Sequence, residues 1–295
     1  MASKGVHVLP WHDPRFPAGL LATFDMPPVL WYRRDLDAFC APAVAIVGSR
    51  AVSAVALQIA ARLGADLAAR GIAVVSGLAR GVDFAAHRGA LRSGRTFAVL
   101  GSGVDRIYRR EHETLASEVA RTGLIVSEYP PGSPPLAFHL PMRNRLISEL
   151  SRAVVVVEAS QKSGSLITPA CALEQGREVM AVPGNVPCGR SRGAYALIRD
   201  GAKFVECADD IVEELAWPDC TDRPRGDTAN NSVSITSRDP LLRVMHRGEA
   251  YDLDELAHAS GIDGVRLLPR LLDLELQELV RRVDGGRFMR QRRTC

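Results

Sequence analysis

"VVVVEASQKSGSLITPACALEQGREVMAVPGN", residues Val154 to Asn185, decides the fold. Four successive valines open it, a small polar loop follows, then a helical stretch, a second apolar run and a Pro-Gly turn. A run apolar at consecutive positions is buried on both faces, the habit of a strand inside a parallel sheet. The strand ends in Ser163-Gly164-Ser165 with Lys162 beside it. Hydroxyls, main-chain N–H groups and the positive end of a helix dipole all suit an anion, so the loop is expected to meet one.

The same alternation extends in both directions. "AVAIVGSR" (43–50) precedes "SAVALQIAARLGADLAARG" (53–71), whose helical spacing stops at Gly71. "IAVVSGLARG", "TFAVLGSGV" and "LIVSEYPPG" are each followed by an amphipathic helix, and "EVMAVPGN" by "AYALIRDGA". Parallel neighbours need a long crossover, so repeated strand–helix units predict an α/β fold: a Rossmann-like, mostly parallel sheet with helices on both faces. This domain is expected over 1–217, with 1–40 as an extended lead-in that packs on it. Residues 218–238, rich in Asp, Asn, Ser, Thr, Pro and Gly, read as a flexible linker. Residues 239–295 read as three helices and a hairpin around Asp284-Gly285-Gly286, a small C-terminal winged-helix-like domain.

Composition narrows the function. Of 295 residues 24% are charged, and the net charge is +3, so affinity for a polyanion must come from how the arginines cluster. Six cysteines form no C-x-x-C pair, which fits a reducing cytoplasm, and no stretch approaches the ~20 apolar residues that cross a bilayer. No secretory leader or membrane anchor is expected.

In an open parallel sheet, ligands bind beyond the carboxyl ends of the strands. Topology gathers there Gly48, Ser49 and Arg50; Ser76, Gly77 and Arg80; Gly101 and Ser102; Ser127, Glu128 and Tyr129; and Lys162, Ser163, Gly164 and Ser165. Any one of these loops alone reads as an ordinary turn or cap, and five together point to a phosphate-lined edge. No G-x-G-x-x-G follows the first strand and no P-loop occurs, which disfavours a dinucleotide or a nucleoside triphosphate. Arg50, Arg80, Arg106, Arg109, Arg110, Arg143 and Arg145 interleave with Tyr108, Tyr129, Phe138 and His139. Guanidinium forks on phosphates beside flat rings for bases suit a single-stranded backbone. Catalytic patterns are poor: Asp83 and His87 stand at a spacing that reads better as a structural bridge, Glu128 and Glu158 end strands singly, and no metal-ligand spacing occurs. Neither a catalytic residue, a metal nor a cofactor is expected.

"VAIVGSR", "VVSGLARGVDFAAHRGAL", "LIVSEYPPG", "PMRNRLISELS", "VVVVEASQKSGSLIT" and "GREVMAVPGN", in that order from about Pro10 to Glu214, resemble the DprA (Smf) family of DNA-processing proteins in natural transformation. The resemblance implies a dimeric, non-enzymatic single-stranded DNA binder that protects incoming strands and helps load the RecA recombinase. It implies phosphate contacts by Arg50 and Arg110, an anion-binding loop at Ser163, Gly164 and Ser165, and an "RNR" motif at Arg143, Asn144 and Arg145. The chain departs from the family pattern at Tyr108-Arg109-Arg110-Glu111-His112 and at Leu140-Pro141, where Phe138 can stand in for a lost ring. Residues 1–40 are too short for the helical N-terminal module of some members.

Two other functions compete. A nucleotide-processing enzyme of phosphoribohydrolase type shares the Gly-rich strand ends, with Asp83 and Glu128 as acids, but its P-G-G-x-G-T-x-x-E motif is absent. A regulator reading duplex DNA through the winged helix meets ten basic and ten acidic residues over 239–295, and its recognition helix sets Arg266 and Arg270 against Asp263, Asp273, Glu275 and Glu278. That balance favours a protein-contact role, with the wing and tail arginines (Arg281, Arg282, Arg287, Arg290, Arg292, Arg293) as a backbone contact. Apolar residues near Val186 to Val205 are candidates for the dimer surface.

Overall fold

The computed structural model describes residues 5–34, 36, 39, 41–108, 110–187 and 189–216, then 241, 244, 245, 250–260, 267, 268, 270, 271, 274, 275, 279–283 and 287–290; the side chains of 110, 250 and 254 lie outside that description. Chain contacts divide it into two units, 1–223 and 224–295.

The first unit is a nine-stranded sheet in the order β1-β2-β6-β5-β4-β3-β7-β8-β9. From β6 to β9 every neighbouring pair is parallel. The strands are β3 (Ala43–Val47), β4 (Ala73–Ser76), β5 (Thr96–Val99), β6 (Leu124–Ser127), β7 (Ala153–Val156), β8 (Glu178–Ala181) and the short β9 (Lys203–Phe204). All five residues of β3 and all four of β7 are buried. Successive side chains of a strand point to opposite faces. Thus Ala45, Val47, Val154 and Val156 join one core, and Val44, Ile46, Ala153 and Val155 the other. The first core is covered by α6 (Asn144–Glu149), α7 (Ile167–Glu174) and α8 (Arg192–Arg199); the second by α2 (Ala54–Ala69), α3 (Val82–Ala90) and α9 (Ala208–Glu214). Helices on both faces make the doubly wound, Rossmann-like arrangement that the apolar runs imply.

The expected lead-in does more than pack. β1 (Val6–Pro10) and β2 (Val29–Arg34) form an antiparallel pair around the short α1 (Ala18–Leu21), and β2 adds antiparallel to β6, so the lead-in lengthens the sheet. Leu9, Leu20, Leu30 and Tyr32 are buried from this segment. Prolines and exposed aromatics hide the two-residue alternation of "VLWYRR" from sequence reading.

α2 and α3 touch through glycines. A Cβ on Gly64 would strike the carbonyl of Ala86, and one on Gly89 the carbonyl of Ala61. In the second unit β10 (Ala250–Tyr251), β12 (Arg287–Arg290) and β11 (Val280–Val283) form an antiparallel sheet in that order. Asp252 Oδ1 accepts from the N–H of Glu255 and Glu255 Oε2 from that of Asp252, a reciprocal cap that starts the helix Leu253–Ser260. Leu256, Leu267, Leu271, Leu274 and Phe288 form its own core. The expected linker 218–238, the turn 284–286 and residues Asp263, Arg266, Asp273, Glu278, Arg292 and Arg293 lie outside the described residues.

Candidate functional site

Strand order reverses between β3 and β7: the chain leaves β3 toward β4 on one side and β7 toward β8 on the other. The two crossovers diverge, and a crevice opens beyond the carboxyl ends. It is filled here by a cleft of about 600 Å³ lined by Gly48, Ser49, Arg50, Asp83, Tyr108, Leu140, Arg143, Asn144, Ser163, Gly164, Ser165 and Thr168.

The loop after β3 has little freedom. Ser49 N donates to the carbonyl of Glu158 at 2.6 Å. A Cβ on Gly48 would lie 2.6 Å from Val82 Cγ2 and 3.0 Å from that same carbonyl, so any larger residue must push one of them aside. Glu158 also ties the next turn: its carboxylate accepts from Ser53 N at 3.1 Å and Ser53 Oγ at 2.7 Å, while Ser53 Oγ caps α2 at Ala56 N. Arg50 projects between them, exposed and without a carboxylate partner among the described residues. It lines the cleft, a neighbouring groove of about 590 Å³ shared with Arg80, Phe84, Glu111, His112 and Arg190, and a smaller hollow against Gly77, Gly101 and Ser102.

The loop after β7 forms the opposite wall. Ser163 Oγ accepts from Ser165 N and meets Ser165 Oγ at 2.7 Å, which caps the 3-10 turn Gly164–Leu166 leading into α7. A Cβ on Gly164 would meet nothing, so this residue faces open space. Lys162 is exposed on the same loop but does not line the cleft.

The floor holds two buried ionisable groups, Arg143 and Asp83, each feeling the other. Arg143, 4% exposed, donates from Nη1 to the carbonyls of Gly77 and Val99 and from Nε to Asn144 Oδ1. Burial lowers its pKa to about 10, against the pull of Asp83, so it stays cationic at neutral pH. Burial raises the Asp83 carboxyl; the Arg143 charge and N–H groups of Ala79 and Gly77 oppose the rise. His87 turns instead to Thr96, with Nδ1 2.7 Å from its hydroxyl. The expected Asp83–His87 bridge is therefore replaced by two separate attachments.

Several expected phosphate contacts have inward partners. Ser76 Oγ donates to the carbonyl of Ile46 and Ser102 Oγ to that of Arg106, both fully buried side chains holding loops together. Gly101 packs on His139. Arg145 leaves the cleft altogether: it pairs with Glu128, with Asp25 at 2.9 Å and with Glu149 at 3.5 Å. Consecutive positions around a helix face different sides, so of "RNR" only Arg143 and Asn144 line the cleft. Arg110 contributes backbone to a 3-10 turn (Arg110–His112), while its side chain and all of Arg109 lie outside the described residues.

Rings border the site. Tyr108 lines the cleft and is half exposed, and Phe138, 64% exposed, packs edge-on against His139, which stacks on Tyr129 at 3.8 Å. Arg190 escaped the sequence reading; its signal was the basic run "GRSRG" at the start of α8. Among the described residues no cluster of three or more metal-ligating side chains occurs, and no helix is long and apolar enough to cross a membrane.

The model of the family described as "DNA recombination-mediator protein A" matches residues 7–216. Protein Smf of Escherichia coli K12 is 39% identical over 98% of this chain and 78% of that protein. The crystal structure of DprA from Streptococcus pneumoniae superposes with a TM-score of 0.69 at 40% identity, covering 72% of this chain and 75% of that one. A DprA structure from Helicobacter pylori, described for its single-stranded DNA binding mode, gives 0.65 at 28% identity, covering 72% and 95%. A match to the whole sheet and both walls of its crevice means that this chain belongs to the DNA recombination-mediator protein A (DprA/Smf) family.

Proposed function

We propose that the chain binds single-stranded DNA along the carboxyl edge of its sheet, with the backbone passing from the switch-point cleft over Arg50 into the groove of Arg80 and Arg190. The carrying observation is Arg50 itself, an exposed guanidinium with no ion pair among the described residues, common to both hollows on a loop that Glu158 and Gly48 hold in shape. Ser163, Gly164 and Ser165 offer hydroxyls and N–H groups from the facing wall, and Tyr108 and Phe138 offer surfaces on which any base can stack. The H. pylori relative, described as a single-stranded DNA binder, supports the same ligand here. The bound strand is handed to a RecA-type recombinase, the chain works in the cytoplasm as a dimer, and the winged-helix-like C-terminal unit makes protein contacts.

A catalytic reading finds less support. Asp83 already accepts from two backbone N–H groups, and Glu128 is engaged by Arg145 and does not line the cleft, so the two candidate acids do not face one reacting atom. Incubation with nucleoside monophosphates is expected to release no free base.

Fluorescence anisotropy with single-stranded and duplex oligonucleotides over a salt series tests the binding. Tighter single-strand binding, falling with log salt by about 0.7 per phosphate contact, is expected. An Arg50→Glu variant that binds as wild type removes the proposal.

A further inference from the structure

A second basic hollow lies at the other end of the strands. β2 runs antiparallel to β6 with Arg34 opposite Leu124 and Trp31 opposite Ser127, so Arg33 and Arg34 sit beside the amino end of β6, away from the carboxyl edge. A groove of about 470 Å³ opens there, with His7, Arg33, Arg34, Ser117 and Arg121 among its walls and no carboxylate among them. Arg33 and Arg121 have no ion-pair partner among the described residues; of the two acids on the adjoining α4 (Glu113–Thr122), Glu118 pairs with Arg88 at 3.8 Å and Glu113, in the first turn, does not line the groove. The His7 ring is exposed and stacks on Tyr32, with centroids 5.3 Å apart, which holds it flat.

A plainer explanation covers part of this. Cations complement the negative end of a helix, and Arg34 Nε donates to the carbonyl of Ala120 at 2.6 Å near the end of α4. That accounts for Arg34 and Arg121. It does not account for Arg33 or for His7. Arg34 also sits at φ +90°, in the left-handed region that a side chain resists. Such strain persists where surrounding structure imposes it and clusters at ligand clamps. Three guanidiniums around one groove repel one another until an anion enters, and their planar forks match phosphate oxygens bidentately.

We propose that this groove is a second phosphate site, which takes a separate segment of polynucleotide while the carboxyl edge holds the first. Only the identity of the ligand rests on the single-strand reading above; the surplus of positive charge at the amino edge stands independently of it. Opposite ends of the parallel strands then face two different stretches of nucleic acid.

Titration of the full chain with a fluorescent oligothymidylate of about eight nucleotides, short enough to occupy one site, counts the strands held per chain. Two per chain are expected. Arg33→Glu combined with Arg121→Glu should abolish one and leave the other, and Arg50→Glu should do the reverse. The milder Arg33→Gln should weaken the second site about tenfold, the loss of one charge-assisted contact, and lower its salt slope by about 0.7, with an unchanged melting temperature. One strand per chain that vanishes in Arg50→Glu overturns the second site. Binding that survives Arg50→Glu but is lost in the amino-edge variant overturns the carboxyl-edge reading and upholds this one. Displacement from the second site by inorganic phosphate or by polyglutamate, as effective charge for charge as the oligonucleotide, overturns its assignment to nucleic acid.

Discussion

Arg50 and Arg145 belong to neighbouring parts of one edge, and both come from basic motifs that suggest a phosphate ligand. Their surroundings are opposite. Arg50 stands on a loop fixed from behind by Glu158 and Gly48 and forms no ion pair among the described residues, although its charge is felt by the buried carboxyl of Asp83. Arg145 sits in a socket of Glu128, Asp25 and Glu149, where acids outnumber it three to one. A guanidinium is available to an anion when its acidic neighbours are occupied elsewhere. Asp83, the acid that shares the cleft with Arg50, accepts from the N–H groups of Gly77 and Ala79, and Glu158, behind the loop, is occupied by Ser53.

The contrast is broken most forcefully at Arg145. Arg145→Ala leaves buried Glu149 and half-buried Glu128 near each other without their counter-charge, and loss of one partner from a buried ion pair costs about 3–5 kcal/mol. A fall in melting temperature on the order of 10 °C is expected in a thermal scan at neutral pH. A stable protein that merely bound DNA less well would make the two arginines equivalent. Arg50→Glu should do the converse, weakening single-strand affinity at least tenfold, roughly 1.4 kcal/mol, with an unaltered melting curve.

Gly48→Ala falls between these. Its Cβ must displace Val82 or the Glu158 carbonyl, an overpacking cost of about 1–3 kcal/mol that should appear in both stability and affinity. A change in one without the other would separate loop shape from ligand contact. The smallest expected effect is a pH dependence. Burial, with Asp25 and Glu128 adding to it against the pull of Arg145, raises the Glu149 pKa to about 7. Between its ordinary value near 4.5 and about 7 the folded state therefore holds more proton than the unfolded one, and this group's contribution to stability falls as pH rises through that window. Glu149→Gln should raise the melting temperature by a few degrees at pH 8 relative to wild type and change it little at pH 4.5. A larger gain at the lower pH would reverse the sign and sink the assignment.

Much of this was readable from the chain. The strands around Ile46 and Val155 announce themselves because a parallel interior leaves no polar face, and the crevice follows from where their helices depart. The antiparallel pair at the start was hidden, since β1 ends in proline and the segment that joins the two strands carries exposed rings such as Trp11 and Phe24. Motif reading could place Arg143 and Arg145 at the right edge but not say which way each turns. That depends on Asp25, Glu128 and the carbonyls of Gly77 and Val99, groups distant in sequence that the fold brings to them. Arg190 was missed for the same reason: only the placement of α8 carries it to the groove beside Arg80.

The attachment of Glu158 to Ser49 and Ser53 has a dynamic consequence. A residue at the start of one crossover grips the first turn of the helix in the other, so a ligand that pulls on the Arg50 loop also tugs the start of α2. Hydrogen exchange at Ala56 and its neighbours thereby becomes an internal gauge of occupancy, slowing when the crevice is filled and quickening if Glu158→Gln loosens the clasp.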